Sequence, residues 1–267
     1  MSFQPALATG GLVGWSFLNR TLVQQTTAFE KSPVIQRDTE YFEKNISKAV
    51  TAEDLVSDRR LLRVALGAFG LSDDINSNAF IRQILESGTE DNDALANRLS
   101  DVRYREFSKA FGFGDAGGAR TGSPSWAGGI TARFRQLEFE VAIGNQDQSM
   151  RLAMDAKRNM PDIANVTGND ETRWLKIMGN PPMRQVFETA LGLPPGFAQA
   201  DLDTQVEEFS DRAKRQLGLD SLSSLSDPAV QEAIIKRFLI RDQIEAFRAQ
   251  SSGSVALTLL QNAPRFY

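Results

Sequence analysis

The stretch Val56–Leu71, VSDRRLLRVALGAFGL, opens on a residue that can cap a helix and closes on a glycine that can end one. Asp58 is placed to accept the free amides of a first turn, Gly70 to take the left-handed conformation, and Leu71 to fold back on the last turn. The stretch Met178–Leu193, MGNPPMRQVFETALGL, repeats the plan without a gap. Asp58 aligns with Asn180, Val64 with Val186, Ala68 with Ala190 and Gly70 with Gly192, and Pro181 suits an opening turn. Leu99-Ser100-Asp101 and Leu225-Ser226-Asp227 recur downstream and again read as helix openings.

Away from these units, apolar residues recur at helical spacing and no run alternates as a strand would. Trp15, Leu18, Leu22 and Phe29 form one stripe over Gly14 to Phe29, with Gln25 in the remaining seam position. Tyr41, Phe42 and Ile46 mark a helix after Pro33, and Tyr104, Phe107, Ala110 and Phe111 mark one after Asp101. A further helix is expected over Ile130 to Ile143, with Phe134, Leu137 and Val141 on one face. Ala229 to Arg248 is the longest, its side of Val230, Ile234, Phe238 and Leu239 continued by Ile240, Ile244 and Phe247. After Arg248, Ser251-Ser252-Gly253 argues against a long helix.

Between these helices, Gly114, Gly117, Gly118, Gly122, Gly128 and Gly129 lie among Ser123, Pro124 and Ser125. So much glycine predicts a loop over residues 114–129. The expected fold class is therefore all-α and multi-helical, with two weakly repeated halves, 1–113 and 130–267, joined by that loop. The division leaves a single continuous domain open.

Composition narrows the chemistry. The 267 residues include neither histidine nor cysteine, so imidazole bases, thiolate nucleophiles, disulfides and zinc sites of the usual kind are excluded. A net charge of −4 without a basic run predicts no nucleic-acid partner. No stretch approaches the ~18 consecutive apolar residues of a membrane span. The first basic residue is Arg20, and no cleaved secretory signal is expected.

The remaining motifs read as structure. Gly112-x-Gly114-x-x-Gly117 matches a dinucleotide fingerprint in letters, but a helix enters it where a strand is needed. Asp74, Asn76 and Asn78 begin like a calcium loop, yet Ala79 replaces the turn glycine and Glu86 falls one position late. Glu90, Asp91 and Asp93, like Asp201 and Asp203, read as turns and caps. Glu207 and Asp211 lie one helical turn apart but stand beside Arg212, Lys214 and Arg215, which predicts a charged helix face. Trp174, beside Leu175 and Ile177, reads as core, whereas Trp126 in a glycine-serine loop can serve either core or partner. No cofactor and no metal is expected.

The segment Ser32 to Ile46, SPVIQRDTEYFEKNI, followed by the two helix units ending Ala68 to Leu71 and Ala110 to Phe113, resembles a bacterial domain family of unknown function. The helix opening Asp101-Val102-Arg103-Tyr104 and the segment Leu137 to Ala153 carry the same resemblance. Members of that family are encoded among flagellar genes, which implies a role in flagellar assembly or structure and a cytoplasmic or flagellum-associated location. The reading reached is a non-enzymatic protein-interaction module whose apolar helix faces bind other proteins, flagellar components among them, with the 114–129 loop supplying mobility. Trp15, Leu18, Leu22 and Phe29, with Trp126, are the expected partner-binding residues. The alternatives are a cytoplasmic export chaperone or regulator, and a small-ligand binder or carboxylate-based enzyme in an inter-helical cleft.

Overall fold

The computed structural model describes residues 3–261, with side chains through Arg248. The outer ends of the two expected halves, residues 1–2 and 262–267, lie outside the described residues. No strand occurs among the described residues, and thirteen α-helices follow one another with short 3-10 turns between some of them. The first seven are α1 (Gly11–Glu30), α2 (Pro33–Asn45), α3 (Ala52–Ser57), α4 (Arg59–Gly67), α5 (Asn78–Ser87), α6 (Leu95–Arg98) and α7 (Val102–Phe111). After the glycine-rich segment come α8 (Pro124–Gly144), α9 (Gln148–Ala164), α10 (Asp170–Met178), α11 (Pro181–Leu191), α12 (Leu202–Leu217) and α13 (Pro228–Gln261).

The caps form as the residues dictate. Asp58 accepts from the amides of Arg60 and Leu61, Asp101 from Arg103, Asn180 from Met183, and Asp227 from Ala229. Each satisfies first-turn donors that the helix leaves free. At the other ends Gly112 and Gly192 adopt left-handed backbone with φ near +70° and +65°. Leu71 N–H returns to the Leu66 carbonyl and Leu193 N–H to that of Glu188, folding each leucine over the turn before it. The same plan thus closes α4 and α11.

The glycine-rich segment departs from expectation in two ways. First, helix α8 begins at Pro124, so Trp126, Gly128 and Gly129 are helical. Proline at the first helical position costs no hydrogen bond. Each interior glycine forfeits up to about 1 kcal/mol against alanine, but burial of Ala127, Ile130 and Phe134 on the same helix outweighs it. Second, the remaining loop is pinned. The buried Asp115 carboxylate accepts from the Thr89 amide at 2.7 Å, Thr121 hydroxyl donates to the Ala49 carbonyl at 2.8 Å, and Arg120 N–H to that of Phe111 at 3.0 Å. A Cβ on Gly114 would stand 2.3 Å from the Glu86 carbonyl oxygen, so only glycine lets the loop lie this close to the end of α5.

One cluster of buried side chains runs from Trp15 to Leu239 and draws on both expected halves. Helix α2 and α4 from the first half pack on α8, and α1 packs on α8, α9 and α13. The two halves share this core. Helix α13 also differs from its expected extent, because it continues past Arg248 to Gln261. Its length of 34 residues corresponds to roughly 50 Å. Ile234, Phe238 and Leu239 are buried as the spacing predicts, but Ile240, Ile244 and Phe247 stand exposed.

A Cβ added at Gly129 meets nothing within 4 Å. Gly129→Ala should therefore raise stability by about 0.5–1 kcal/mol, or roughly 2–4 °C in melting temperature per kcal/mol. Thermal unfolding followed by circular dichroism measures it, and a lowered midpoint would contradict the helical assignment of residue 129.

Candidate functional site

Four of the five expected partner-binding residues belong to the core side of α1. Trp15 is only 2% exposed, Leu18 and Phe29 are likewise buried, and Leu22 is half-buried against them. The Trp15 indole N–H donates to both oxygens of Glu232 on α13 at 3.2 Å, and Phe29 sits edge-on to Phe139 of α8. The buried Gln25 ties the amino-terminal segment down, exchanging hydrogen bonds with the Ala6 backbone. The stripe is therefore a seam between α1 and the rest of the fold, which corrects its reading as a free face. Trp15, Leu18 and Leu22 do line one wall of a small cavity of about 160 Å³ with Met154 and Lys157. Trp126 packs against Phe111 and Phe42 and donates its indole N–H to the Ala110 carbonyl at 3.0 Å. Its remaining edge lines a surface groove.

Two adjoining depressions flank α8. The first, about 390 Å³, lies among α4, α7, α8, α9 and α11 and holds as many acidic as basic side chains. Its centre is an ion-pair network between α8 and α9. Glu140, 2% exposed, accepts from Arg158 Nε at 2.9 Å and Nη2 at 3.1 Å, and Arg158 also donates to Asp155 at 2.5 Å. Burial pushes the Glu140 carboxyl above its ordinary range while the Arg158 guanidinium opposes the shift. Both Glu140 oxygens are engaged in the fork, which commits this carboxylate to holding two helices together. Arg103 donates to the Gly70 carbonyl and to Asp101 in the same way. The Tyr104 hydroxyl donates a hydrogen bond to Asp74 at 2.8 Å, and burial with that bond pushes its pKa up to about 12. These bonds account for the first part of the calcium-like motif. Among the described residues no group of three or more carboxylates stands where a metal could be held.

The second depression, about 760 Å³, runs among α7, α8, α9, α10 and the loop before α8. Six cationic side chains line it against two anionic ones, in a chain of net charge −4. Arg133 pairs with Glu106 and lies over the Phe69 ring, and Arg158 faces Glu140. Arg105 and Lys109 of α7, Arg120 of the loop and Lys176 of α10 make no ion pair among the described residues. Trp126, Ile130, Ile163 and Val166 give the groove an apolar floor. A sequence scan for basic runs misses this site because its four unpaired cations come from three separate segments.

The opposite charge collects between α10 and α12. Asp170, Glu171, Asp203, Glu207 and Asp211 line a shallow depression there with no cation among them. The basic neighbours that the sequence sets beside Glu207 and Asp211 turn elsewhere. Arg212 pairs with Glu208 and donates to the Gly192 carbonyl, and Lys214 pairs with Asp220.

Removing the cation of a buried pair strands its carboxylate. Arg158→Met should cost about 3–5 kcal/mol, with a part recovered when Glu140→Gln is added; urea unfolding of the single and double variants checks this, and additive losses would show that the two groups are not coupled. Glu138, also on α8, has its carboxyl pushed up by burial, with Arg63 opposing and Asp38 reinforcing. A folded-state value above the unfolded one means that this group stabilises most at low pH and that its contribution is lost as pH rises through the raised value. Glu138→Gln should accordingly stabilise more at about pH 8 than at about pH 4, and unfolding midpoints with the reverse trend would contradict it.

Comparison with known proteins places this arrangement. No curated protein matches the chain. A protein from Agrobacterium tumefaciens with an X-ray crystal structure shares the fold at a TM-score of 0.70 and 26% identity, over 91% of this chain and 99% of that one. The model of a family described as protein of unknown function, DUF1217, matches residues 68–230, a segment that crosses the glycine-rich loop and takes in both charged surfaces. With well over half its length matched, the chain belongs to the DUF1217 family.

Proposed function

We propose that this chain is a non-enzymatic protein-interaction module, resembling a flagellar accessory or assembly protein, and that the outer part of α13 rather than α1 is its presenting helix. The observation that carries this reading is the row Ile240, Ile244 and Phe247 at i, i+4 and i+7 on α13, with Phe247 72% exposed. Those spacings place three large apolar side chains on one face, as in helices that seat in a partner's groove or pair with a second helix. Isolated exposed apolar residues are ordinary, but an aligned row on a helix that runs beyond the shared core is what an interface needs. The inward turn of Trp15, Leu18 and Phe29 supports the same choice by accounting for the other stripe. Location in a flagellum-associated or cytoplasmic pool follows from the family resemblance, and an export chaperone is the reading if the protein stays in the cytosol.

Ile244→Ser with Phe247→Ser removes the row at exposed positions, so stability should change by less than about 0.5 kcal/mol. Crosslinking in the source cells, followed by fractionation into flagella, membrane base and cytosol, should show wild-type partners that the double variant loses. Recovery of the same partners at undiminished yield would exclude this face as the interface.

A further inference from the structure

The two charged surfaces sit at opposite ends of α10. Its last turn contributes Lys176 to the cationic groove, and its first turn contributes Asp170 and Glu171 to the acidic face. Along α12 the acidic face continues with Asp203, Glu207 and Asp211 at i, i+4 and i+8. Glu171, Asp203, Glu207 and Asp211 are all exposed, and none makes an ion pair among the described residues. Four unpaired carboxylates on one surface thus face the same number of unpaired cations on another. Leu202, 53% exposed at the start of α12, stands beside the carboxylates, and the groove carries an apolar floor beneath its cations.

We propose that the acidic face of α12 in one copy seats in the cationic groove of a second copy, with Asp203, Glu207 and Asp211 against Arg105, Lys109 and Arg120, and Leu202 over the Trp126 floor. A polar rim around a small apolar centre is the general anatomy of a non-obligate interface. Because each copy offers both surfaces and neither is complementary to itself, the contact is heterologous, and successive copies form a ring or an open chain. Unpaired charges at separated sites on a chain of net negative charge make the association fast, specific in orientation and sensitive to salt. This association is independent of the α13 row.

Full-length protein examined by sedimentation velocity tests it. At about 20 mM salt the mass should climb with concentration past that of a dimer, and at about 0.5 M salt, where the screening length falls to a few ångströms, the protein should be monomeric. Lys109→Glu with Arg120→Glu destroys the groove, and Glu207→Lys with Asp211→Lys destroys the acidic face. All four positions are exposed, so both variants should keep the wild-type helical spectrum. Each alone should remain monomeric at low salt, with association weakened at least about tenfold. Mixed in equal amounts at low salt, they should associate with each other, because the intact acidic face of one variant meets the intact groove of the other. Wild-type protein that stays monomeric to about 1 mM at low salt would overturn the proposal. So would self-association that survives both reversals, or variants that fail to pair when mixed.

Discussion

Burial of α9 on several sides at once is the constraint from which the rest of the architecture follows. Helices α8, α10, α11 and α13 pack on it, and α1 closes over it from the amino-terminal half. A helix packed against so many neighbours needs a broad apolar face, and Met150, Leu152, Ala153, Ala156 and Met160 supply it. Ala153 and Ala156 are completely buried, and their small size lets neighbouring helices come close. Two of the polar residues left on α9 lie in the cleft against α8, where Arg158 joins Glu140 of α8 to its own neighbour Asp155. The ion-pair network is therefore a consequence of the enclosure: a cation and carboxylates removed from water must satisfy one another.

Much of the fold was legible because it rests on short-range signals. A capping side chain and a glycine at the end act within one turn, so Asp58 with Gly70 and Asn180 with Gly192 could be paired with their structural roles from spacing alone. What spacing does not encode is which element covers a given face. The α1 stripe and the α13 row look alike as patterns, yet Trp15 meets Glu232 and the core while Phe247 meets solvent. Gly128 and Gly129 depart from the expected loop for a related reason. Their propensity argues against a helix, and the burial of Ile130 and Phe134 beyond them decides for one.

The candidate surfaces were less legible still. Net charge sums over the chain and hides how charge is distributed in space. Arg105 and Lys109 lie one turn apart on α7, but Arg120 and Lys176 join them only after the chain has folded. For Glu207 and Asp211 the sequence offers apparent partners in Arg212 and Lys214, but Arg212 pairs with Glu208 in its own helix and reaches the Gly192 carbonyl, and Lys214 pairs with Asp220 just past the helix end. Trp126 alone among the expected binding residues reaches one of these surfaces, because its helix begins where a loop was expected.

The strap between α7 and α8 also sets the entropy of whatever meets it. Thr89, Ala49 and the carbonyl of Phe111 hold it at three points, and Gly114 lies against the end of α5 too closely for any other residue. Arg120 thus hangs from backbone that is already in place, so a visiting surface has side chains to order but no main chain to freeze. A methyl group at position 114 would undo this from the far side of the strap, loosening the rim of the groove without altering a single residue that lines it.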